Sequence, residues 1–97
     1  MNEQECRQFI NELLSKQDGK ILDYPQLKQD DIVAIGNMLL DENIPIGTKE
    51  TAILFLAHQQ SKAAIKALKR YIAKAVDLDL KIFAEIGLDE CRWWNEP

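Results

Sequence analysis

The sequence predicts one all-α domain over residues 1–97, made of about five antiparallel helices. Apolar residues recur three and four positions apart in five segments, which is the period of an α-helix. No run of four or more residues alternates convincingly between polar and apolar, so strands are not expected. Short turn signals separate the segments, and short connections make successive helices antiparallel. A chain of 97 residues has room for one such core.

The first two helices are predicted over residues 4–16 and 29–42. Asn2 is the expected N-cap of the first, and Asp18-Gly19 is its expected end. Five apolar residues share one face of this helix: Cys6, Phe9, Ile10, Leu13 and Leu14. The connector 20–27 contains Tyr24 before a proline, which disfavours helix. The second helix carries Gly36 in its interior, and this glycine predicts a close approach to a neighbouring helix.

The third helix is predicted over residues 49–59, with Thr48 as its N-cap. Residues 52–57 are apolar all the way round the helix, which indicates burial on every side. We therefore expect this helix at the centre of the fold, with Leu54, Phe55 and Leu56 almost inaccessible. A buried strand is the alternative for so short an apolar run.

The last two helices are predicted over residues 62–76 and 79–92. Ser61 is the expected cap of the fourth helix, in which Leu68 and Ile72 should be almost inaccessible. Asp77 and Asp79 are the two candidate caps of the fifth. The core face of the fifth helix is expected to hold six residues: Leu80, Phe83, Ile86, Gly87, Cys91 and Trp94.

The third and fourth helices are joined by very few residues and must form an antiparallel hairpin. Their apolar run 52–57, the link Gln59-Gln60 and the alanine-rich pattern 61–68 resemble a repeat of the HEAT-like (armadillo-type) family. The resemblance covers about residues 29–92. It implies a short α-α stack whose second helices line the concave binding face. A compact orthogonal helix bundle is the alternative arrangement.

Charge is distributed unevenly along this chain of net charge −4. Residues 1–46 and 77–97 are acidic, whereas residues 47–76 hold six basic residues and one acid. Five of the six lie on one side of the fourth helix and define its basic face: Lys62, Lys66, Lys69, Arg70 and Lys74. Such a face is either paired with neighbouring acidic helices or exposed as a docking strip. We expect most of these cations to stay unpaired and to bind an acidic partner.

Two adjacent tryptophans, Trp93 and Trp94, lie near the end of the sequence. At 100° per residue, the two rings cannot both face the same core. Either Trp94 closes the core with Trp93 as a surface lid, or one ring docks into a partner or a second copy of the chain.

Catalytic constellations are missing from the sequence. His58, the single histidine, has no adjacent nucleophile or orienting carboxylate, so we expect it to stabilise the carbonyls at a helix end. Cys6 and Cys91 are expected to be buried as small apolar residues. No metal-ligand spacing, calcium loop or glycine-rich phosphate loop occurs, so neither a metal nor a cofactor is expected.

The first residues are acidic and polar, unlike a signal peptide, and no apolar run reaches the length of a membrane span. The expected location is the cytoplasm. The expected function is a non-enzymatic protein-protein interaction module that uses the basic face and the C-terminal tryptophans. A nucleic-acid-associated regulatory protein is the alternative.

Overall fold

Five helices make up the computed structural model, which describes residues 2–15 and 24–95. They are α1 (Glu3–Ser15), α2 (Gln29–Met38), α3 (Ile46–Ala57), α4 (Lys62–Lys74) and α5 (Leu78–Asn95). The described residues contain no strand, so the all-α prediction is confirmed, and the alternative of a strand over residues 52–57 is wrong. Within the same ranges, no helix is both long and apolar enough to cross a bilayer.

Three predicted helix caps are present. The Oδ1 of Asn2 accepts a hydrogen bond from the backbone N–H of Glu5 at 2.8 Å, and the Glu5 side chain accepts one from the N–H of Asn2 at 3.2 Å. This reciprocal pair is a capping box, which satisfies two donors of the first turn. Ser61 caps α4 through Ala63 N–H at 3.1 Å. Asp77 caps α5 through Leu80 N–H, and the predicted end of α1 at Asp18-Gly19 lies outside the described residues.

The predicted ends of α3, α4 and α5 each differ from the structure by a few residues, and two further boundaries are wrong in a way that changes the role of a residue or the length of a helix. The third helix begins at Ile46 directly after Pro45, so Thr48 is not its cap. Thr48 is instead buried within α3, and its hydroxyl donates to Oδ1 of Asn11 on α1 at 2.8 Å. The second helix ends at Met38 rather than at residue 42. Beyond it the N–H of Asp41 bonds the carbonyl of Met38, three residues back instead of four, so the α-helical hydrogen-bond pattern does not continue.

The helices pack against one another around α3. The most extensive contacts join α4 with α5, α3 with α5, and α2 with α4. The central helix α3 contacts all four others, as its apolar circumference predicts. Phe55, Leu56 and Leu68 are fully buried. Leu54 and Ile72 were expected to be almost inaccessible, and that expectation is wrong. Both side chains are only half-buried, because the neighbouring helices do not cover them completely.

The crossing of α2 over α4 depends on two small residues. A Cβ added to Gly36 would lie 2.7 Å from the Cβ of Ala67, well inside van der Waals contact. The close approach predicted from this glycine is therefore present, with Ala67 as the partner. At this point the two helices are in contact through small residues. The longer side chains of α2 and α4 before and after it stand on either side of an open groove.

Candidate functional site

All five cations of the basic face are exposed on the outside of α4. Apolar contacts of the opposite side of the helix, through Ala64, Ile65 and Leu68, hold this face outward. None of the five forms an ion pair with a carboxylate among residues 2–15 and 24–95. Their charge is therefore not neutralised by the acidic segments that the structure describes.

Three of the five cations line a groove of about 480 Å³ between α2 and α4. Lys62, Lys66 and Arg70 form one wall, and Gln29, Val33 and Asn37 form the opposite wall. Gly36 and Ala67 line it where the helices cross. No acidic residue is among the described residues that line it. The groove thus joins positive charge to a partly apolar wall, in the size range of ligand-binding clefts.

Arg70 is oriented across this groove. One Nη of its guanidinium donates to Oδ1 of Asn37 on α2 at 3.0 Å. A guanidinium has five N–H donors in a rigid fork, so this contact leaves others for a ligand. The bond also holds the two walls of the groove together at the end distant from Lys62.

The structure divides the remaining predicted site residues among different surfaces. Lys74 lines a second groove of about 660 Å³ together with Lys49, whose ammonium lies 5.9 Å from the ring centre of Tyr71. Lys69 lines neither groove. Trp93 and Trp94 lie on α5, which packs against α3 and α4 but not against α2. No described hydrogen bond or ring contact joins the tryptophans to the basic face.

The tryptophans are both exposed and contact each other edge to face, with ring centres 4.9 Å apart. The expectation that Trp94 and Ile86 face the core is therefore wrong. The buried face of α5 is formed instead by Leu80, Ala84, Gly87, Leu88 and Cys91. A Cβ on Gly87 would meet Ile53 at 3.2 Å, so the small residues let α5 pack closely on α3 and turn the large ones outward. In the sequence, the small residues Ala84 and Gly87 were therefore the signal for the buried side of α5.

His58, at the end of α3, connects this helix with α5 and with the connector before α2. Its Nδ1 lies 2.7 Å from the carbonyl oxygen of Leu54, which is the helix-end contact predicted from the sequence. Its Nε2 lies 3.1 Å from Oε1 of Glu90, and its ring stacks on Tyr24 with centres 4.4 Å apart. Glu90 is distant in sequence and was not predicted as a partner. Both ring nitrogens are engaged, and no nucleophile is among the described contacts of the ring.

Gln59 is a buried residue that sequence reasoning treated only as part of a link. Its Nε2 donates to the carbonyl of Pro25 at 2.9 Å, and its Oε1 accepts from the N–H of Leu27 at 2.9 Å. Its own carbonyl accepts from Nδ2 of Asn95 at 3.1 Å. One residue thus ties the connector before α2, the α3–α4 link and the end of α5. No periodicity or motif could reveal this, because glutamine in a short link is ordinarily exposed.

Both cysteines are fully buried, and neither forms a disulfide. Burial raises the pKa of the Cys6 and Cys91 thiols, which lowers the fraction of reactive thiolate at neutral pH. Across residues 2–15 and 24–95, no three histidine, cysteine or acidic side chains are grouped to hold a metal. In comparisons with known proteins, no family model, curated protein or solved structure matches the chain.

Proposed function

We propose that this protein is a non-enzymatic interaction module that binds an acidic segment of another protein in the groove between α2 and α4. The observation that carries the proposal is the cationic wall of Lys62, Lys66 and Arg70, which no described carboxylate pairs. A groove lined with one sign of charge raises the rate of association with a ligand of the opposite sign. The two buried cysteines form no disulfide, which fits a reducing cytoplasm as the place of action.

The spacing of the wall suits an extended acidic peptide. Lys62, Lys66 and Arg70 are four residues apart on one helix, so their Cα atoms rise by about 6 Å per step. Alternate residues of an extended chain are about 6.8 Å apart. A segment with acidic residues at alternate positions would therefore offer one carboxylate to each cation. An apolar residue between them would contact Val33, which is 43% exposed on the opposite wall.

A protein partner is favoured over a nucleic acid. Single-stranded nucleic acids bind where aromatic rings alternate with cations, and no aromatic residue is among the described residues of this groove. The acidic segments on either side of the basic one would repel an extended phosphate backbone. In a HEAT-like stack the second helices line the binding face, so the resemblance and the contact between α2 and α4 both favour this surface.

A selection of random peptides displayed on phage and captured by the immobilised protein tests the proposal. We expect enrichment of peptides with alternating acidic residues. Lys66→Glu should abolish the enrichment because it reverses a charge inside the groove. Lys69→Glu is the matched control, because it changes net charge equally but lies outside the groove.

Three outcomes would contradict the proposal. The first is a selection without acidic enrichment. The second is an equal loss of enrichment with Lys66→Glu and Lys69→Glu, which would indicate that the peptides respond to the overall positive charge of α4 and not to the groove. The third is displacement of the selected peptides by a single-stranded oligonucleotide at equal charge concentration, which would favour the nucleic-acid alternative.

A further inference from the structure

The second groove lies where α2 and α4 end and α3 and α5 begin. Its volume of about 660 Å³ is within the range of clefts that hold small molecules. Most of the side chains that line it are aliphatic, among them Leu39, Ile44, Ile46, Val76 and Leu80. No described residue lines both grooves, so the second groove is separate from the one proposed to bind a peptide.

The wall of the second groove contains a tyrosine whose hydroxyl has no partner. Tyr71 is only 4% exposed, and no hydrogen bond joins its hydroxyl to any of residues 2–15 and 24–95. Among these residues, no polar side-chain atom is both unbonded and completely inaccessible, so the hydroxyl oxygen must reach an opening. Tyr71 lines the second groove and not the first, so its hydroxyl faces the second groove. Because a buried hydroxyl ordinarily has a partner, this one points to a ligand.

The hydroxyl of Tyr71 is a hydrogen-bond donor at neutral pH. Burial raises the pKa of Tyr71, and the negative charge of Asp77 raises it further. The phenol therefore keeps its proton, and the group that it lacks is an acceptor. An oxygen of a bound molecule would supply that acceptor.

The charged residues that line the second groove balance one another. Lys49 and Lys74 supply two positive charges. Glu42 and Asp77 supply two negative charges, and none of the four forms an ion pair within the described part of the chain. A ligand of either sign would be attracted by one pair and repelled by the other. Since the aliphatic lining also opposes the desolvation of a charged group, the balance favours an uncharged ligand.

We propose that the second groove binds an uncharged, mainly apolar small molecule that carries one acceptor oxygen, of the chemical class of aliphatic ketones. The hydrocarbon part contacts Leu39, Ile44 and Leu80, which removes apolar surface of both molecules from water. The oxygen accepts the hydrogen bond of the Tyr71 hydroxyl. Each property of the ligand thus corresponds to one property of the lining: its aliphatic side chains, its single buried donor and its balanced charges.

Titration of the isotope-labelled chain with methyl hexyl ketone, followed by backbone amide chemical shifts, tests the proposal. We expect saturable changes at Leu39, Ile44 and Leu80, and none at Val33 and Lys66 of the first groove. Octanoate and octylammonium have the same number of carbon atoms but carry a charge. Each should bind at least about fivefold more weakly than the ketone.

Tyr71→Phe removes only the hydroxyl and should weaken binding of the ketone about two- to tenfold. Because this hydroxyl has no partner within the described chain, the variant should be at least as stable as wild type toward urea. Tyr24→Phe is the matched control, because it removes the same atom from the other tyrosine, which does not line the second groove.

A second pair of variants tests the location of the site without changing its polar group. Ala75→Leu places a larger side chain in the second groove and should prevent saturable binding. Ala73→Leu is the control, because Ala73 is exposed on α4 and lines neither groove. Circular dichroism confirms that each variant folds.

Four results would overturn the proposal. Chemical-shift changes that stay linear and spread over the whole chain would indicate partitioning without a site. Binding that Tyr71→Phe leaves unchanged would remove the hydroxyl from recognition. A Tyr71→Phe protein less stable than wild type would show that the hydroxyl is already bonded within the chain. Tighter binding of octanoate than of the ketone would assign the groove to an anion held by Lys49 and Lys74. None of these results bears on the peptide groove, which the phage selection tests separately.

Discussion

Gly36 of α2 and Ala67 of α4 touch so closely that a methyl group on the glycine would lie 2.7 Å from the alanine Cβ. The alanine Cβ is attached directly to the backbone and cannot rotate away, so added volume must push the helices apart. This contact sets the distance between α2 and α4. It therefore also sets the width of the groove that Lys62, Lys66 and Arg70 line.

Gly36→Ala should destabilise the protein by about 1–3 kcal/mol through overpacking. The sign of this change in stability is informative. Helix propensity alone would make the alanine variant more stable by about 1 kcal/mol, so a loss of stability can only come from the close contact. Urea unfolding measures the change. Combining Gly36→Ala with Ala67→Gly should recover part of the loss, since the second change removes the clashing Cβ. A Gly36→Ala protein at least as stable as wild type would show that this crossing is not tight.

Gln59→Ala should cost about 2–3 kcal/mol in the free energy of unfolding. The substitution removes the partners of two backbone groups, the carbonyl of Pro25 and the N–H of Leu27, and leaves them without hydrogen bonds. Gln60→Ala is the control, because Gln60 is exposed and only its backbone N–H is bonded, to Oε1 of Gln26. Equal small effects from both substitutions would mean that Gln59 does not hold the three segments together.

Leu56→Ala should cost about 2–5 kcal/mol, because the leucine is fully buried in the central helix and its loss leaves a cavity. Leu54→Ala removes the same atoms from a half-buried site and should cost about 1 kcal/mol. Denaturant unfolding of the two variants compares them directly. A larger loss at Leu54 than at Leu56 would contradict the orientation of α3.

Stability should fall in the alkaline range. Burial raises the pKa of Cys6, Cys91, Tyr24 and Tyr71, so the folded state holds these protons more tightly than the unfolded chain. Their contribution is complete below the pKa of an unfolded thiol, about 8.5, and is lost as the pH rises through the higher folded values.

Urea unfolding at a series of pH values from neutral to alkaline measures this fall. Cys91→Ala should be less stable than wild type at neutral pH, yet its stability should decline less steeply above the thiol pKa. An identical decline in both proteins would show that the Cys91 thiol titrates alike in the folded and unfolded states.

The sequence by itself determined the features that depend on neighbours along the chain. Asn2, Ser61 and Asp77 cap helices by bonding N–H groups two or three residues away, so their roles follow from local spacing. The apolar circumference of residues 52–57 likewise placed α3 at the centre, because a helix without a polar side has no stable position at the surface. The basic face of α4 follows from the same period.

Only the tertiary structure decided which of two apolar sides a helix buries. Helix α5 has apolar residues on both sides, and periodicity alone assigned Ile86 and Trp94 to the core. Close packing on α3 favours the side with Ala84 and Gly87, because small residues let the helices approach, and the large residues were left outside. Contacts between distant segments, such as Gln59 with Pro25, were also decided there, since only the folded chain brings them within hydrogen-bonding distance.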